Sequence, residues 1–157
     1  MHNLDSIDKK ILKILQSEGQ ISNLDLAEKV ALSPSPCSRR VKSLEERGYI
    51  QGYVAVLNPK KLNLSLSAVV SIALSSHESK VMRAFEEAIS KVPEVTQCYL
   101  TAGQAADYFL KVTVKDLDAY QSFLLNKLTK IKGVTSVQST FILKKVVDKN
   151  ELPLSHA

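Results

Sequence analysis

The 157-residue chain is poor in the residues that build most catalytic and extracellular sites, with two cysteines, three histidines, five glycines and five prolines. Cys37 and Cys98 cannot make a disulfide framework, and each falls in an apolar stripe, so reduced thiols are expected. His2, His77 and His156 stand far apart, with no cysteine or carboxylate set at metal-ligand spacing, which argues against a metal site. The glycines form neither a phosphate-cradling loop nor a hydrolase elbow, and Cys37 has no histidine near it in sequence; a catalytic centre is therefore not expected. No apolar run approaches the roughly 20 residues that span a bilayer, and the first residues lack a secretory pattern. The expectation is a cytoplasmic protein.

What the chain does have is apolar content and unevenly placed positive charge. A hydrophobic fraction of 45% allows one real core or two small ones. The formal net charge is +5, and residues 33–61 carry six cations against two carboxylates, so most of the excess lies in one segment. Such clustering suits a polyanionic partner without indicating specificity.

That basic segment contains the stretch around which the chain is organised. Residues 22–48 read as two short helices joined by a tight turn. The first starts at Ser22, with Asp25 in a capping-box-like position, and buries Leu26, Ala27 and Val30. The turn has Ala31-Leu32 where glycine is common, so a left-handed Ala31 would carry strain on the order of 1 kcal/mol. The second helix starts sharply, with Ser33 expected to cap through its hydroxyl and Pro34 in the first helical position, where a missing N–H costs nothing.

A helical projection of this second helix puts Cys37, Val41 and Leu44 on one stripe and Ser35, Ser38, Arg39, Lys42 and Glu46 on the outward side. Hydroxyls near the N-terminus followed by cations suit a helix entering a major groove of duplex DNA. Arg39 can hold guanine O6 and N7 with two hydrogen bonds, and Lys42 can meet a base or a phosphate. Arg40, nearer the buried edge, is expected to hold a phosphate or a neighbouring carboxylate. Ser35, Ser38, Arg39, Arg40 and Lys42 are thus the candidate DNA-contacting set. The same face would also serve as an ordinary solvated surface; the preceding short helix favours DNA.

Upstream, residues 4–17 form a first helix with Asp5 as N-cap, Asp8 in its first turn, Leu4, Ile7, Ile11 and Ile14 on one face, and Gly19 at its end. Three such helices close a small core. After Gly48, the alternation in residues 49–57 predicts a strand, which Asn58-Pro59 breaks, and residues 58–66 mark a linker. The domain division is therefore 1–50, a connecting 51–66, and 67–157.

The second domain contains a hidden repeat. Ala68, Val70, Ile72 and Leu74 alternate as a strand; Val81, Phe85, Ile89 and Val92 lie on one helical face; residues 95–101 are a second strand. The pattern then recurs, with Leu110, Val112 and Val114 as a strand, Leu117, Tyr120, Leu124, Leu128 and Ile131 as a helix behind an Asp116 cap, and residues 134–143 as a strand. The helix exits match too, Lys91, Val92, Val95 and Thr96 corresponding to Lys130, Ile131, Val134 and Thr135. The fold class is α+β: an N-terminal trihelical (winged) helix-turn-helix domain followed by a C-terminal ferredoxin-like βαββαβ sandwich. One sheet face, with Val69, Ser71, Ala73, Phe109, Lys111 and Thr113, is rather apolar for water, and a second copy of the chain is its natural cover.

LDSIDKKILKILQSEGQISNLDLAEKV, LSPSPCSRRVKSLEERGYIQGYVAVLNP and TAG followed by DYFLKV together resemble the Lrp/AsnC (leucine-responsive regulatory protein and asparagine-synthetase regulator) family of transcription regulators, over nearly the full length. The resemblance implies DNA binding by the first domain, and self-association and binding of a small effector, typically an amino acid, by the second. It implies homo-oligomers, with dimers assembling to octamers, no cofactor, and a nucleoid-associated role. It also implies an effector site at the turn 101–108, with Thr101, Gly103, Gln104 and Asp107 as candidates. Loop N–H groups would take the ligand's carboxylate and Asp107 its ammonium. Three residues separate Gly103 from Asp107 where the family has two, and one extra residue displaces backbone groups by up to ~3.5 Å. Two other functions compete: an architectural protein that wraps DNA with weak sequence preference, predicting steep salt dependence, and an amino-acid-sensing regulatory subunit of an enzyme, against which the basic helix argues.

Overall fold

The computed structural model describes residues 4–103 and 106–156, which divide into two compact units, one holding the residues up to 56 together with those from 147 on and the other residues 57–146. His2 and Gln104 lie outside the described residues.

The first unit holds three helices, α1 (Ser6–Ser17), α2 (Asn23–Lys29) and α3 (Pro34–Glu46). Asp5 caps α1 by accepting from the Ile7 and Asp8 N–H groups, and Asp8 reaches back to the Asp5 N–H, a complete capping box. Ser22 Oγ accepts from Asp25 N–H at 3.1 Å to start α2. Ala31 is left-handed at φ 57°, as the missing glycine predicts. The helices bury Ile11, Leu12, Leu26, Ala27, Val30, Cys37 and Leu44, one stripe from each helix.

An ion pair crosses this small core. Arg40 Nη1 on α3 lies 2.7 Å from Asp5 Oδ2 and 2.7 Å from Asp8 Oδ1 at the start of α1. The capping bond from Asp8 N–H, and then the Arg40 guanidinium working against burial, hold the Asp5 carboxyl below its usual range. A neighbouring carboxylate is one of the two partners expected for Arg40, and two such carboxylates are present.

The strand predicted at residues 49–57 is absent: no strand is assigned between α3 and residue 66. A strand needs a hydrogen-bonded neighbour, and this segment has none within its unit; Val54, Val56 and Leu57 are exposed. Its first half is tied to α3 instead. The Arg47 guanidinium sits 4.8 Å over the Tyr49 ring, and Tyr53 Oη donates to Glu45 Oε1 at 3.1 Å. The chain returns to this unit at its far end, where Leu152 N–H donates to Gln16 Oε1 at 2.6 Å and Leu154 joins the helical core.

The second unit is a four-stranded antiparallel sheet, β1 (Leu66–Leu74), β2 (Val95–Leu100), β3 (Tyr108–Val114) and β4 (Val134–Phe141), in the order β2-β3-β1-β4. Its two helices are α4 (Ser79–Ile89) and α5 (Leu117–Asn126), giving the expected βαββαβ order. Asp116 caps α5 by accepting from Ala119 N–H. The core takes every second residue of the central strands, Ala68, Val70, Ile72 and Leu74 from β1 and Tyr108, Leu110, Val112 and Val114 from β3, with Phe85, Ile89, Tyr120, Phe123 and Leu128 from the helical layer. Two expectations shift. Leu117 is exposed because it opens α5, and its place in the core goes to Phe123. Cys98 is exposed because β2 is an edge strand, whereas Cys37 is buried.

Replacing Arg40 by methionine leaves the largely buried Asp8 carboxylate without its cation. The expected cost is about 1–3 kcal/mol, read as a lowered denaturant midpoint for the helical transition. Because the Asp5 carboxyl is held low, its contribution is present above the ordinary aspartate range and is lost as pH falls through the depressed value. The methionine variant should therefore lose the Arg40 share of that acid-labile stability and keep the share from the Asp8 N–H.

Candidate DNA-reading helix and effector loop

α3 is positioned from three sides. Cys37 and Leu44 are fully buried in the helical core, Arg40 is held by α1, and Asn23 Nδ2 on α2 donates to the Pro34 carbonyl at 2.9 Å. Asn23 was not among the residues singled out by sequence, since its partner is a backbone oxygen eleven positions away. Ser33 occupies the N-cap position, but its hydroxyl makes no capping bond. An N-cap side chain needs the N–H of the second or third helical residue, and Pro36 at the third has none.

With that anchoring, Ser35, Ser38, Arg39 and Lys42 are all exposed, and their spacing puts them on one helical face. No hydrogen bond or ion pair among the described residues engages Arg39. Lys42 Nζ lies 3.8 Å from Glu46 Oε1, with both side chains largely in solvent, a contact too weak to hold the ammonium away from a phosphate. Arg40 is turned the other way, towards Asp5 and Asp8.

The candidate effector loop follows β2. Its ends are tied by Thr101 N–H donating to the Asp107 carbonyl at 2.8 Å and by Asp107 N–H donating to the Ile72 carbonyl at 2.8 Å. The Thr101 hydroxyl donates inward to the carbonyls of Ala106 and Asp107. Gly103 is exposed at φ 95°, a left-handed conformation that favours glycine. Asp107 is half-buried and doubly engaged: Oδ2 accepts from Leu74 N–H at 2.7 Å and Oδ1 lies 2.6 Å from His77 Nε2. The Leu74 N–H, opposed by burial and aided by His77, holds the Asp107 carboxyl below its usual range. His77 had carried no assignment from sequence. The register supplies the missing signal, because pairing Ile72 with Tyr108 brings the residues after Leu74 beside those before Tyr108.

A separate cleft of about 340 Å³ opens between α4 and the β2 edge, lined in part by Glu86, Ser90, Gln97, Cys98, Leu100 and Tyr108. The buried Tyr108 hydroxyl donates to Glu86 Oε1 at 2.7 Å. Burial, and then Glu86, push the phenol well up. At Cys98, exposed on the strand edge but lining this cleft, partial desolvation and then Glu86 raise the thiol, so neither group is primed as a nucleophile at neutral pH.

A basic, outward helix on a trihelical scaffold, followed by a ferredoxin-like unit with a polar loop, defines a helix-turn-helix DNA-binding regulator with a ligand-binding domain. Residues 4–51 match the winged helix-turn-helix DNA-binding family and residues 67–152 the Lrp/AsnC ligand binding domain. The chain belongs to the Lrp/AsnC family of transcriptional regulators. It is 47% identical over 154 residues to the Bkd operon transcriptional regulator of Pseudomonas aeruginosa, covering 98% of this chain and 100% of that one. To the leucine-responsive regulatory protein of Escherichia coli it is 41% identical over 150 residues, covering 96% and 91%. The crystal structure of a Neisseria meningitidis transcriptional regulator in complex with L-Met superposes with a TM-score of 0.94 at 39% identity, covering 98% and 99% of the two chains.

Proposed function

We propose that this regulator reads duplex DNA through Ser35, Ser38, Arg39 and Lys42 and changes its DNA binding when an amino acid occupies the 101–107 loop. The observation that carries the reading is the one-sided exposure of α3, whose opposite side is spent on Cys37, Leu44 and the Arg40 ion pair. Arg40 serves as a brace rather than a DNA contact. Residues 1–50 read DNA, 51–66 connect, and 67–157 bind effector and self-associate, with the 147–156 segment returning to steady α1.

The effector is an amino acid with an apolar side chain, leucine and methionine being the first to test because relatives carry those names. Loop N–H groups, that of Gly103 among them, would take its carboxylate, Thr101 would keep the loop closed, and Asp107 would meet its ammonium. The open sheet face, with Val69 and Phe109, is the surface on which two copies join; two reading helices then reach half-sites about 34 Å apart. Higher assembly to an octamer fits the same chain. The protein acts in the cytoplasm, associated with the nucleoid, and has no catalytic activity of its own.

Arg39→Ala should cost about 1–3 kcal/mol on the selected sequence and relax preference at the contacted base; an unchanged binding motif would remove Arg39 from the reading set. Asp107→Asn keeps an oxygen for Leu74 N–H while losing the charge. Bare DNA binding should persist, while calorimetric amino-acid binding should fall by about tenfold or more, the effect expected for a hydrogen-bonded charge. Undiminished binding would move the effector elsewhere, with the α4–β2 cleft next to be probed.

A further inference from the structure

We propose that His77 is the gate of the effector loop: it occupies the Asp107 oxygen that the ligand's ammonium requires, so protonated His77 and effector compete for one carboxylate. The inference rests on the effector reading above and adds to it a competing group supplied by the chain itself.

The two bonds to Asp107 are unequal in what they cost to break. Oδ2 is fixed by the Leu74 N–H at the end of β1, and the Asp107 backbone is held on both sides, by Ile72 and Thr101. The carboxylate therefore stays in place. His77 has a side chain 76% exposed, against 18% for Asp107, and the residue stands in the short segment between β1 and α4. Its ring can turn into water without disturbing the sheet. Once it does, Oδ1 is open to a new cation at hydrogen-bonding distance.

The strength of the gate depends on the charge of the ring. A neutral imidazole makes an ordinary hydrogen bond, whereas an imidazolium makes a charge-assisted pair, and histidine is the side chain that switches between them in the neutral range. Asp107 stays ionised through that range, being held low by the Leu74 N–H and His77. Charged groups on the adjoining segments include Glu78 and Lys80 at the start of α4, Glu86 further along α4, which accepts from the hydroxyl of Tyr108 beside Asp107, and Lys132, next to the Gly133 whose carbonyl accepts from Ser75 N–H. Gln104 and Ala105 bring no charge to the loop. The carboxylate and ammonium of an amino acid keep their charges between pH 5.5 and 7.5. A slope in affinity across that interval that is lost when the His77 imidazole is removed therefore reports the gate.

The sign follows from competition. Binding of the ammonium expels a proton-bearing ring, so acid favours the closed gate and affinity rises with pH, by at most about tenfold per pH unit for one proton. The test is calorimetry of the full chain with each of the twenty L-amino acids at pH 5.5 and 7.5, for the wild type, His77→Ala and His77→Gln. The wild type should bind its effector about fivefold or more tightly at the higher pH, and both variants should flatten that ratio to about twofold or less. At pH 5.5 the variants should bind more tightly than the wild type, while DNA binding without amino acid is unchanged. Weaker binding by both variants at both pH values, or a slope that survives in them, would overturn the gate and leave the effector reading standing. If none of the twenty binds any of the three proteins, the effector reading fails and the gate fails with it.

Discussion

The Arg40 ion pair is the constraint on which the reading surface depends. Asp5 and Asp8 build the capping box of α1, and the same two carboxylates receive one guanidinium nitrogen from the middle of α3. Helix start and helix orientation are therefore set by a single cluster. Its energetics are asymmetric: a well-satisfied pair adds little net stability, but either half alone is costly where Asp8 is almost out of water. With Arg40 held by α1 and Cys37 and Leu44 in the core, α3 leaves its Ser35, Ser38, Arg39 and Lys42 side exposed.

The second unit obeys a parallel logic in strands. Its two central strands commit alternate residues to the helical layer, so the intervening residues, among them Val69 and Phe109, face away from that core. The same antiparallel register places the end of β1 beside the start of β3, and this proximity, rather than any local motif, creates the Leu74, Asp107 and His77 cluster. The chain crosses between units twice, near residues 56 and 146. The two units are thus joined by two covalent connections, the second leading to the segment whose Leu152 N–H bonds Gln16 of α1.

Periodicity made most of this legible. The apolar spacing of three helices, the Asp5, Ser22 and Asp116 caps, and the repeated strand-helix-strand pattern all belong to local sequence, and local sequence suffices for them. The Ala31 turn was legible for the same reason, since only one residue stands where a left-handed conformation is needed. What escaped were features that need a partner. Alternation in residues 49–57 reports only a tendency, and without a neighbouring strand no ladder forms. The Ser33 cap failed because Pro36 removes one of the N–H groups it would use. Cys98 was read as part of an apolar stripe because its pattern matches a strand, but pattern does not reveal that β2 lies at an edge. In the candidate site, the outward set on α3 followed from helical geometry; the choice between phosphate and carboxylate for Arg40 and the pairing of Asp107 with His77 depend on residues about thirty positions away.

The central claim is that a rigidly held α3 reads base sequence under the control of an amino acid. It is tested most directly by the ratio of affinities of the full chain for a genomically selected fragment and for its scrambled counterpart, measured at physiological salt with and without the amino acids. The account predicts a ratio of about 10³ or more, with the affinity for the selected fragment shifting when the effector is added. Equal affinities for the two fragments, falling together as salt rises and indifferent to every amino acid, would contradict it and leave a DNA-wrapping protein in its place.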